Sequence, residues 1–127
     1  MNRLAMILGI GLTLTAMFNV SSFAQTAIDG AWVISTIDNA LPNGFSETLV
    51  VAGDTFTYEM VITVNGNPTT ITGDGTIRNT GGLDYLFTTI GRSGEELPMP
   101  MTLSSDGNSL TGSGGTPIKT FVYVRKR

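Results

Sequence analysis

The chain of 127 residues holds ten acidic and seven basic side chains, with no histidine and no cysteine. Those two absences remove thiol catalysis, disulfide scaffolds, zinc fingers and every mechanism in which histidine activates a serine or cysteine. A general base would have to be a carboxylate, a tyrosine, or one of Lys119 and Lys126. Glu95-Glu96 is the only adjacent acidic pair, and it lies in a glycine-bounded turn where successive side chains point apart. Asp29 and Asp38 are close in sequence, but nothing places them together. Asp74-Gly75-Thr76 and Asp106-Gly107-Asn108 offer oxygen ligands, yet neither continues to the terminal bidentate glutamate of a calcium loop. Both read as Asx turns in hairpins. The expectation is no catalytic residue, no metal site and no cofactor: a protein that binds and is not an enzyme.

Composition narrows the partners. A net charge of −3 gives no electrostatic footprint for nucleic acid or anionic lipid. Hydrophobic residues make up 41% of the chain and charged residues 13%, which excludes an acidic disordered chain. Residues 1–24 differ from the rest. Arg3 supplies one positive charge, an apolar stretch runs from Leu4 to Val20, and Ser22 and Ala24 are small residues before Gln25. This order predicts a secretory signal peptide cleaved after Ala24, and hence a secreted or periplasmic product spanning 25–127. The apolar stretch is at the short end for a bilayer span, and no later segment is long and apolar enough to cross as a helix.

No part of 25–127 keeps helical periodicity over three turns; period-two alternation cut by glycine turns recurs instead. Phe56, Tyr58, Met60, Ile62 and Val64 share one face, with threonines and Glu59 on the other. Leu97, Met99, Met101 and Leu103 alternate with Pro98, Pro100, Thr102 and Ser104. Asn65-Gly66 is a two-residue primed hairpin turn, and Asp106-Gly107 reads as another. Gly53-Asp54, Gly81-Gly82, 91–94 and 112–115 mark further turns. The pieces between them predict eight strands, near 29–37, 47–52, 54–64, 69–79, 83–90, 97–104, 108–112 and 117–126. Eight short strands without a long crossover imply one all-β domain, an eight-stranded antiparallel up-and-down barrel in preference to a sandwich. Pro98 and Pro100 remove two ladder donors and predict a weakly paired or bulged strand near the mouth. Gly73 and Gly75 share a face, where they let the sheet bend or a bulky neighbour come close.

The segment opens with Ile28-Asp29-Gly30-Ala31-Trp32 and closes with Phe121-Val122-Tyr123-Val124-Arg125-Lys126. This resembles the lipocalin-like branch of the calycin barrels, in small secreted bacterial form. Leu103–Gly112 is similar to the penultimate hairpin of such domains. The resemblance implies that Trp32, in its Gly-x-Trp setting with Gly30, plugs the closed end of the barrel. It also implies that Arg125 of the last strand packs over the indole as a cation on an aromatic face. Asp84-Tyr85 echoes a second lipocalin motif but falls too early in the strand order to carry its role. The stretch Asn39–Ser46 holds Pro42 and Gly44, so the helical lid of the fatty-acid-binding relatives has no room.

An eight-stranded barrel is either filled by its side chains or just hollow enough for one small ligand. Phe56, Tyr58, Met60, Tyr85, Phe87, Met99, Met101 and Tyr123, if inward, form one apolar space with Ile62 and Phe121. Methionines and aromatics make an adaptable lining for a small hydrophobic ligand. The same residues would also make a packed core, which the short strands favour. A second function follows from another class: a protein-interaction module, such as a periplasmic inhibitor, meeting its partner at the loop end through 39–46 and 91–98. A structural envelope domain with a filled core is the third.

Overall fold

The computed structural model describes residues 27–127, so the predicted leader and cleavage site lie outside the described residues. Eight strands follow in order: β1 Gly30–Ile37, β2 Phe45–Ala52, β3 Thr55–Val64, β4 Asn67–Gly81, β5 Asp84–Ile90, β6 Glu96–Leu103, β7 Ser109–Gly114 and β8 Lys119–Arg125. Each pairs antiparallel with its neighbour in sequence, and β1 pairs with β8, so the sheet closes into an up-and-down barrel. Closure leaves no edge strand to be protected. The β1–β2, β3–β4, β5–β6 and β7–β8 connections lie at one end, and the N-terminal segment and the other three connections at the opposite end.

Alternation decides which side chains enter. On β2, Glu47, Leu49 and Val51 are buried while Ser46, Val50 and Ala52 are exposed. β1 begins the same way, with Trp32 and Ile34 buried. Its pairing with β8 then slips between Ile34 and Thr36, a bulge that inserts one residue and reverses the parity. In consequence Ile37, and not Thr36, reaches the barrel interior.

Several turns follow the sequence and several do not. Asn65 and Gly66 both have positive φ (52° and 79°), as a primed two-residue turn requires. Asp38 and Asn39, at 51° and 71°, form an equivalent turn that no glycine announces, closed by Ile37–Ala40 backbone hydrogen bonds of 2.6 and 3.2 Å. Asp106-Gly107 is not primed: only Gly107 has positive φ, and the Asp106 carboxylate accepts hydrogen bonds from Ser104 Oγ (2.6 Å) and the Asn108 amide (3.0 Å) instead. Asp74 lies in no turn; it pairs with Thr57 in the middle of β4. The last turn starts at Gly115, because β7 runs on through Gly112 and Gly114.

β6 is not bulged against β5, where seven successive residue pairs hold register. Against β7 it pairs only from Met101 to Leu103. The Leu103 amide donates toward β5, to Leu83 O, so alternate residues Pro98 and Pro100 face β7 with the nitrogens that lack a proton. The seam therefore opens toward the mouth, on one side of β6 only.

At the opposite end the barrel is sealed. Trp32 is fully buried, and its indole N–H donates to Ile28 O at 3.0 Å. The Arg125 guanidinium carbon sits 4.3 Å from the centre of the Trp32 ring. Its nitrogens donate to Ala27 O, Asp29 O and Gly107 O at 2.8–3.1 Å, fastening the N-terminal segment and the β6–β7 turn to β8 at once. Gly30 has a φ of 127°, and a Cβ there would stand 3.1 Å from Arg125 Nη1. Only glycine serves both demands.

Candidate functional site

Above the Trp32 plug the interior does not fill. A cavity of about 560 Å³ opens at the end that carries the β1–β2, β3–β4, β5–β6 and β7–β8 connections, within the size range of small-molecule sites. Of the residues expected inside, Phe56, Tyr58, Met60, Phe87, Met99, Met101 and Tyr123 all line it, and Phe121 joins them. Ile62 does not, and neither does Tyr85, which is 1% exposed and belongs to the buried core with Phe87, Met101 and Leu103. The hollow arises because two inward positions of β4 are glycines. Gly73 faces Tyr58 and Gly75 faces Phe56 in the β3–β4 register. Cβ atoms there would stand 2.5 Å from the Tyr58 ring and 2.7 Å from the Phe56 ring. The two aromatics lie against the bare backbone of β4, which leaves the barrel axis open. Phe56 also packs on Phe87 with ring centroids 5.0 Å apart.

One polar pair interrupts the apolar lining. Glu47 is 9% exposed, and its Oε1 accepts a 3.0 Å hydrogen bond from the Tyr123 hydroxyl. Burial pushes the Glu47 carboxyl above its ordinary range, and the Tyr123 bond only partly offsets this. The same burial, with the Glu47 charge beside it, raises the Tyr123 phenol as well. Sequence reasoning dwelt on Glu95 and Glu96 and passed over Glu47. The signal was present, since Glu47 shares its face of β2 with Phe45, Leu49 and Val51. Glu95 sits in the loop after β5, its carboxylate accepting from the Ser93 amide at 2.9 Å.

The rim carries a charged pair. Lys119 Nζ stands 3.7 Å from Asp38 Oδ2, with both side chains about half exposed. Asp38 Oδ1 accepts from the Thr120 amide at 2.8 Å, which ties the β1–β2 turn to the start of β8. Exposed apolar side chains cluster at this end too: Leu41, Val64, Ile90, Leu97 and Ile118 all sit on or beside the four mouth connections. Among the described residues no group of three acidic, histidine or cysteine side chains could hold a metal ion, and no helix is long and apolar enough to cross a membrane.

Solved structures share the architecture at low identity. The wild-type fluorescent protein UnaG aligns with 80% of this chain and 98% of its own, at 13% identity and a TM-score of 0.48. Lobster apocrustacyanin A1 aligns with 85% of this chain and 68% of its own, at 12% identity and a TM-score of 0.45. Lipid binding protein 8 of Caenorhabditis elegans, in its apo form, covers 80% and 96%, at 11% identity and a TM-score of 0.42. The likeness is one of fold. No protein-family model and no curated protein matches the chain.

Proposed function

We propose that this is an exported, non-enzymatic binding protein that carries or sequesters one small apolar molecule in its barrel. The observation that carries the reading is the cavity itself: sealed below by Trp32 and Arg125, open above, and walled almost wholly by aromatic, methionine and aliphatic side chains. A barrel this small has the option of filling its axis with side chains. Glycines at 73 and 75, where bulky residues would close it, support a space that is kept. The Glu47–Tyr123 pair sits as a polar handle within an otherwise largely apolar lining, which suits recognition of one small molecule. Export rests on the leader at 1–24, and the protein recovered outside the cytoplasm should begin at Gln25 by intact mass.

The experiment is a titration with Nile red, a neutral apolar dye. Saturable one-to-one binding with blue-shifted emission is expected, and a flat titration would sink the carrier reading. A second reading has its own support in the apolar side chains ringing the mouth, Ile118 being the most exposed of them. Such a rim suits a protein partner at the loop end. In that case the partner would bind equally well whether or not the cavity is occupied.

A further inference from the structure

Inward positions of β2 carry Phe45, Leu49 and Val51, and among them Glu47. A carboxylate so withdrawn from water is costly to ionise unless donors surround it. Its protein partner is a single neutral hydroxyl. Tyr123 has one proton to give and gives it to Oε1. Among the described residues no side chain or amide donates to Oε2, so no protein group satisfies this acceptor on a residue that lines the cavity. The cation nearest in the lining, Lys119, is at the rim and engaged with Asp38. No arginine lines the space. Apart from Lys119 at the rim, no cation in the lining would neutralise a ligand's carboxylate or phosphate, while an ionised Glu47 would repel one.

We propose that the molecule held here is an apolar amine: its protonated nitrogen donates to the Glu47 carboxylate, and its hydrocarbon body lies against Phe56, Phe87 and Met101. This rests on the cavity being a ligand site. A charge-assisted N–H bond to a buried carboxylate is roughly twice as strong as a neutral one, and it supplies the partner that the protein omits. Because burial disfavours the ionised carboxyl, binding of the cation also displaces whatever proton Glu47 holds.

Decylamine, decanol and decanoate share one chain length and differ in the head group. Displacement of bound Nile red by each at pH 7 should rank decylamine first, by at least about ten-fold over decanoate, a gap of about 1.4 kcal/mol. Glu47→Gln should abolish that preference and leave decanol within about two-fold of its parent affinity. If that variant does not fold, the preference of the parent for decylamine over decanol should still shrink as the pH falls and Glu47 takes up its proton, while decanol binding stays unchanged. Decanol binding while decanoate equals or exceeds decylamine would overturn the amine and leave the carrier reading intact. Displacement by none of the three would overturn the amine, and a flat Nile red titration would overturn the carrier reading with it.

Discussion

Tyr123 and Glu47 belong to β8 and β2, the strands on either side of β1, and their side chains meet inside the barrel in a 3.0 Å hydrogen bond. The pair spans the seam at which the sheet closes. It places a titratable group where every other inward neighbour on β2 is apolar, so both stability and recognition should depend on pH.

The sign follows from the direction of the shift. Burial raises the Glu47 carboxyl above the 4.5 of an ordinary glutamate. Between that value and the raised one, the folded state holds more proton than the unfolded state, so stability falls as pH rises through the window. The contribution of Glu47 is complete below the window and lost above it. Thermal melts of parent and Glu47→Gln from pH 4 to 8 should therefore diverge toward neutral pH, with Gln the more stable. In a domain of this length each kcal/mol of difference reads as about 4–8 °C. A parent that gains stability relative to Gln as pH rises would mean that the fold favours the ionised carboxylate, against the burial argument.

The closed end should be the stability determinant. Trp32→Ala removes a fully buried indole and leaves a cavity, a loss of about 3–5 kcal/mol by denaturant unfolding. Arg125→Lys keeps the charge over the ring but not the planar fork that reaches Ala27, Asp29 and Gly107. It should cost about 1–3 kcal/mol. A Trp32→Ala protein melting within a degree or two of the parent would show that the plug is elsewhere.

The two glycines of β4 should part company. A Cβ at Gly75 would stand 2.1 Å from the Thr88 carbonyl oxygen, backbone that cannot swing aside, so Gly75→Ala should destabilise by about 1–3 kcal/mol. At Gly73 the nearest atoms belong to the far end of the Tyr58 ring. Gly73→Ala should thus cost little stability and instead move that ring and weaken Nile red binding. Equal losses in melts and no change in binding would refute the role given to Tyr58.

The barrel was legible because its residues obey period two between glycine turns, and Phe56, Tyr58 and Met60 could be placed inward from that alone. The β1 bulge was not legible: nothing in Ile34-Ser35-Thr36-Ile37 marks where parity reverses, and only pairing with β8 fixes it. The Asp38-Asn39 turn was hidden for a related reason, since both residues hold positive φ without glycine. Whether the barrel is filled or hollow was not legible, because side-chain volumes on one strand do not reveal what faces them. The β3–β4 register alone sets Tyr58 against Gly73 and Phe56 against Gly75. For Tyr85 the alternation gives the face but not the depth along the barrel axis.

Native mass spectrometry of the protein, purified without detergent from the organism that makes it, tests the central claim most directly. A reproducible added mass below about 1 kDa, lost on gentle activation, is expected for a cavity of this size. A bare chain mass, with no adduct from extract supplied in excess, would contradict the claim that the barrel exists to hold a small molecule.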